Sequence, residues 1–156
     1  MRRLSAGLIA AAPAALPATA WAQSSAEVLP DTGDTAWILT SAALVLMMTI
    51  PGLGLFYGGL VRAKNFLSVL LQIGAIAAVA STLWVAAGYT LAFGTVTNGL
   101  LGGLGNFMLG GMSLVRGGTS MPEDTFSLFQ MTFAVITPAL MVGAWVDRAR
   151  FGWVLA

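Results

Sequence analysis

The chain of 156 residues is 58% hydrophobic and only 8% charged, with a formal net charge of +1 and neither cysteine nor histidine. Soluble domains carry about 25% charged residues; a chain this apolar, with a mean hydropathy of +0.87, lacks the polar groups to cover a water-facing surface. The charge balance excludes an electrostatic footprint for nucleic acid, and the missing residue types exclude disulfides, thiolate metal sites and the commonest near-neutral proton carrier.

Residues 1–22 have the form of a cleavable signal peptide. Arg2 and Arg3 make a basic start, residues 4–16 a short alanine-rich apolar stretch, and Ala20-Trp21-Ala22 a small-x-small cleavage site before Gln23. The apolar stretch falls short of the roughly 20 residues a spanning helix needs, and Pro13 and Pro17 weaken it further. An uncleaved anchor is the alternative. Cleavage would leave the mature N-terminus in the periplasm of a Gram-negative cell. Residues 23–34 read as a polar periplasmic linker holding Glu27, Asp31 and Asp34.

Uncharged apolar runs follow at residues 35–61, 66–93 and 126–146. Each is long enough to cross the hydrocarbon layer as a helix. A further apolar run opens at Phe151 and is expected to begin a fourth span. The predicted fold class is therefore an all-α polytopic membrane protein. Arg62 and Lys64 lie between the first two runs, and Arg148 and Arg150 follow the third. The positive-inside rule puts both dibasic connections in the cytoplasm, which agrees with an exported N-terminus and a cell inner membrane location. Residues 94–121 form the outer loop, rich in glycine; it is expected either to fold over the outer face or to act as a tether.

Within the first run, Pro51 removes a backbone donor and predicts a kink. Gly54 and Gly58 make a small-xxx-small face for close helix approach. In the third run, Phe129, Phe133 and Thr137 are four apart and share one helix face, with Phe126 one turn nearer the outside. Such a stripe can attract a cation to its ring faces or can be ordinary packing and lipid contact. The six carboxylates are expected in linkers and loops, and no acid, base or nucleophile constellation is visible. The chain does not read as an enzyme, and no cofactor or metal is expected.

Three longer motifs carry a resemblance. Thr49-Ile50-Pro51-Gly52-Leu53-Gly54-Leu55-Phe56-Tyr57-Gly58-Gly59-Leu60-Val61-Arg62, followed by Lys64-Asn65, is similar to the first-span signature of the Amt/Mep/Rh ammonium transporter family. Leu83-Trp84-Val85-Ala86-Ala87-Gly88-Tyr89-Thr90-Leu91-Ala92-Phe93-Gly94 resembles the same family's second span. Phe129-Gln130-Met131-Thr132-Phe133-Ala134-Val135-Ile136-Thr137-Pro138-Ala139-Leu140, then Gly143-Ala144 and residues 148–151, resembles its third.

The resemblance implies an eleven-helix fold, of which residues 35–156 would supply the first three helices and the start of the fourth. It implies an outside N-terminus and a homotrimer with one pore per subunit. A nitrogen-regulatory PII-type signal protein is a possible cytoplasmic partner. Phe129 and Phe133 match the phenylalanines of the outer cation site and gate, and Phe56 and Tyr57 match residues that narrow the cytoplasmic end of the pore. The implied function is transport: ammonium is recruited at the outer aromatics and deprotonated, and ammonia passes down an apolar pore. The family's histidine pair, outer tryptophan, outer serine and essential aspartate lie on later helices and have no counterpart here, so this chain alone is expected not to conduct. Phe107 and Met108 stand where family loops usually hold a tryptophan nearby, and Asp147 replaces the usual glutamate. The competing readings are a non-transporting truncated subunit or assembly partner, and an Rh-type gas channel.

Overall fold

The structure, a computed structural model, describes residues 29–96, 99, 101–146 and 148–154. The expected signal peptide lies outside these residues, as do residues 23–28 of the linker and Asp147.

The first helix starts where a cap allows it. Asp31 is extended, and its carboxylate accepts the Asp34 amide at 2.8 Å, satisfying one of the donors a helix start leaves open. α1 therefore runs Thr32–Met47, and Asp34 sits in its first turn, where the helix dipole favours an anion. The helix thus starts ahead of residue 35, the first residue after the last charge. Pro51 has no N–H for the Met47 carbonyl. The backbone answers with a wider π turn, Met48–Gly52, in which the Leu53 amide reaches back to Met48 O. α2 (Leu53–Leu60) continues the same rod and ends as Val61 turns extended.

A short 3₁₀ turn, Ala63–Asn65, reverses the chain into α3 (Phe66–Leu83). A second π turn, Trp84–Gly88, follows, closed by the Tyr89 amide on Trp84 O, and α4 (Tyr89–Phe93) completes the second rod. α5 (Glu123–Trp145) starts after Pro122, whose fixed φ suits a helix entrance. Pro138 lies inside α5, which remains α-helical through it. α6 covers Phe151–Val154.

Three rods result, Thr32–Leu60, Ala63–Phe93 and Glu123–Trp145, of 29, 31 and 23 residues. At about 1.5 Å per residue each exceeds the roughly 30 Å of bilayer hydrocarbon. Among the described residues there is no strand, only an isolated bridge between Val96 and Gly102. The core is one seam: Val69, Ile73 and Ile76 of α3 meet Ala139 and Val142 of α5, all buried. The spacings place each set on one helix face. Leu44, Leu55, Leu67, Leu71 and Leu83 are each more than half exposed. In water so large an apolar exterior would drive association; in lipid it has a matching solvent.

Two glycines of the first rod, Gly54 and Gly58, lie against α3. A Cβ on Gly54 would stand 2.6 Å from Leu70 Cδ2, and one on Gly58 would stand 2.5 Å from the Phe66 ring. The described residues of the glycine-rich connection between the second and third rods form a packed segment and not a tether. Leu104–Leu109 forms short 3₁₀ turns interrupted by a kink over Asn106–Met108, and Thr90 binds this segment from the end of the second rod. The Thr90 hydroxyl donates to Gly103 O at 2.6 Å and accepts the Asn106 amide at 3.2 Å. The Gly102 backbone approaches Thr90 O so closely that a side chain there would collide with it.

Candidate functional site

The aromatic residues singled out from the sequence form two edge-to-face pairs. Phe129 and Phe133 stand on α5 with ring centroids 5.1 Å apart and planes at 80°. Phe129 is half-buried, whereas Phe133 is 44% exposed. Two threonines brace the backbone that carries them. Thr132 Oγ1 donates to Phe129 O and Thr137 Oγ1 to Phe133 O, each at 2.7 Å. Back-bonding of this kind bends a helix slightly, and Pro138 removes the next backbone donor.

Phe56 and Tyr57 on α2 form the second pair, with centroids 5.2 Å apart at 62°. Tyr57 is fixed to α5: its hydroxyl donates to Leu140 O at 2.9 Å. Gly143 makes room for it, since a Cβ there would lie 2.6 Å from Tyr57 Cε1. Leu140 follows Phe133 by seven residues, which is about 10 Å of helix. The two pairs are therefore tied to one helix at two heights. Pro51, with its π turn, lies on the same rod as Phe56 and Tyr57, one helical turn or so earlier.

One polar cluster was not expected. The sequence puts the carboxylates in linkers and loops, whereas Asp34 lies in the first turn of α1, Glu123 and Asp124 lie in that of α5, and Glu123 is only 9% exposed. Its Oε1 accepts the Tyr89 hydroxyl at 2.7 Å, and its Oε2 accepts both the amide and the hydroxyl of Ser113 at 2.6 Å. Arg116 donates to the Tyr89 hydroxyl at 3.4 Å. Its guanidinium carbon lies 3.8 Å from the Phe126 centroid and 5.0 Å from that of Phe93. Trp84 packs edge-on against Tyr89 and Phe93, and its indole N–H donates to Ser127 O at 3.2 Å. The signal that could have found this cluster was Arg116 itself, the single cation between the second and third spans.

Phe126 thus differs from the other members of the stripe: the chain's own cation already covers its ring. Among the described residues no group of three or more histidine, cysteine, aspartate or glutamate side chains could hold a metal.

Three apolar helical rods of spanning length, with aromatic pairs at two depths, define a multi-pass, all-helical membrane protein. The sequence profile of the Ammonium Transporter Family matches residues 36–156, and the chain belongs to that family. It is 41% identical over 133 residues to an ammonium transporter of Aquifex aeolicus, covering 84% of this chain and 31% of that protein. It is 46% identical over 122 residues to an ammonium transporter of Bacillus subtilis, covering 77% of this chain and 30% of that one. The crystal structure of a Mep2 mutant from Candida albicans superposes with a TM-score of 0.63 at 37% identity, covering 81% of this chain and 28% of that one. The chain therefore spans about 30% of the length of the curated relatives it matches.

Proposed function

We propose that this chain supplies part of the wall of an ammonium-transporting pore, with Phe129 and Phe133 at its outer mouth. The observation that carries the reading is the edge-to-face Phe129–Phe133 pair with Phe133 left 44% exposed, on a chain that belongs to the Ammonium Transporter Family. Ammonium is a small, strongly hydrated cation, and its transfer into hydrocarbon is costly. Ring faces replace part of its hydration through the π quadrupole. Transfer of one proton from the ammonium ion to water at this mouth then leaves neutral ammonia, which an apolar path can pass. Phe56 and Tyr57, the latter held on α5 through Leu140, form the constriction at the cytoplasmic end. Gly54 and Gly58 serve the packing that fixes this constriction against α3.

Family membership supports the remaining parts of the reading. The pore is a transporter's and carries out no covalent chemistry on its cargo. The protein assembles as a homotrimer in the inner membrane, with the mature N-terminus in the periplasm. The cytoplasmic face meets a PII-type signal protein.

The test is uptake of labelled methylammonium at low external concentration, by cells that lack their own transporters and express the complete reading frame containing this chain. Uptake above the empty vector is expected, and Phe129→Ala together with Phe133→Ala is expected to lower it by about tenfold, the loss of roughly one cation–π interaction of intermediate strength. Undiminished uptake by the double variant at equal membrane abundance would remove the phenylalanines from the mechanism. No uptake at all by the unaltered protein would favour the assembly-partner reading.

A further inference from the structure

Trp84, Tyr89, Phe93 and Phe126 form a continuous aromatic cluster at the outer ends of the second and third rods. Their contacts are Trp84–Tyr89 at 6.1 Å, Trp84–Phe93 at 6.2 Å, Tyr89–Phe93 at 5.5 Å and Phe93–Phe126 at 5.1 Å between centroids. Clustered ring faces beside a buried carboxylate are the chemistry that recognises alkylated or planar organic cations. Here the site already holds such a cation. The Arg116 guanidinium lies over Phe126 at 3.8 Å and over Phe93 at 5.0 Å, while Arg116 donates to the Tyr89 hydroxyl. Glu123, which binds the same hydroxyl, balances the charge.

We propose that this cluster is an organic-cation cage that the chain keeps filled with Arg116, making Arg116 a specificity-determining residue of the outer mouth. Phe126 precedes Phe129 by one turn on α5, so an empty cage would capture substituted cations next to the transport pair. With Arg116 in place the cage is shut, and the open ring of Phe133 is where a cation lands. The inference refines the transport reading and rests on it for its physiological meaning, but the cage itself is tested by binding.

Emptying the cage with Arg116→Ala should let free methylguanidinium, the side chain's own head group, take its place. The measurement is the change in tryptophan fluorescence of the purified chain on titration with methylguanidinium, taken as the difference from a Trp84→Phe control because the chain holds five tryptophans. Arg116→Ala is expected to respond at a concentration about tenfold lower than the unaltered chain, a factor typical of a partly desolvated cation–π contact. Adding Phe126→Leu should abolish that gain. Equal responses from the unaltered and Arg116→Ala chains would overturn the inference, as would an undiminished response in the Arg116→Ala/Phe126→Leu pair. Should Arg116→Ala lose helical ellipticity, recovery on adding methylguanidinium supports the cage and no recovery counts against it. Binding as expected, with no methylammonium uptake by cells expressing the complete reading frame, would defeat the transport reading alone. Uptake by those cells while the cage ignores methylguanidinium would defeat this inference alone.

Discussion

Glu123 shows how a single residue can set the architecture at one end of the rods. A carboxylate this buried is tolerated only with its lone pairs filled, and three donors from two other segments fill them. Hydrogen bonds to a charged group are worth about 1.5–3 kcal/mol. Glu123→Gln is therefore expected to lower stability by about 2 kcal/mol, because an amide can accept through only one of its two positions. Ser113→Ala should cost about half as much, since its backbone donor survives. Thermal unfolding in detergent, followed by circular dichroism, would check the order; an equal or reversed ranking would mean that Glu123 is not the anchor. None of this was legible in the sequence. A Glu–Asp pair after Pro122 reads as a polar loop, and the partners Tyr89 and Ser113 are 34 and 10 residues away. Phe129 and Phe133 were legible because a separation of four is a local property of a helix. That separation brings the two rings together, while the 80° between their planes is set by the side-chain rotamers.

At the scale of elements, the first rod depends on where a side chain can and cannot be added. A Cβ at Gly58 meets the Phe66 ring at 2.5 Å, whereas at Gly59 nothing lies within 4 Å. Gly58→Ala is expected to destabilise by about 1–3 kcal/mol through overpacking. Gly59→Ala should be neutral or stabilising by up to about 1 kcal/mol, because alanine is the better helix former. Unfolding of the two variants side by side would decide this, and a Gly58→Ala chain as stable as its parent would show that α3 can retreat. The sequence supplied the small-residue face but not its partner, since spacing says that something approaches and is silent on which helix. A kink at Pro51 is likewise expected from the sequence, whereas the structure shows a π turn there, because a missing donor can be absorbed by widening the coil. Pro138 lies in an α5 that stays α-helical through it.

For the whole molecule, the all-helical multi-pass fold was legible from charge-free runs alone, because in lipid a backbone must satisfy itself within each segment. The packing of the connection between the second and third rods was not, since it depends on Thr90 reaching two backbone groups of a glycine-rich stretch with no periodicity of its own. Orientation is argued from the dibasic connections and can be tested directly, because the chain has no cysteine of its own. Lys64→Cys is expected to react with a membrane-impermeant maleimide only after permeabilisation, and Gly117→Cys to react in intact spheroplasts. The opposite pattern would invert the topology.

The two π turns have a bearing on chain length. Each holds one residue more than an α turn of the same rise, at Met48–Gly52 and at Trp84–Gly88. Elsewhere in these rods a one-residue deletion would rotate everything downstream by about 100°, swinging Phe56 and Tyr57 or the Trp84 cluster off their partners. Within a π turn the same deletion only tightens the coil and leaves both flanks in phase. These two places are therefore where the rods carry spare length, and where single-residue gaps between related sequences can accumulate without disturbing the faces that meet.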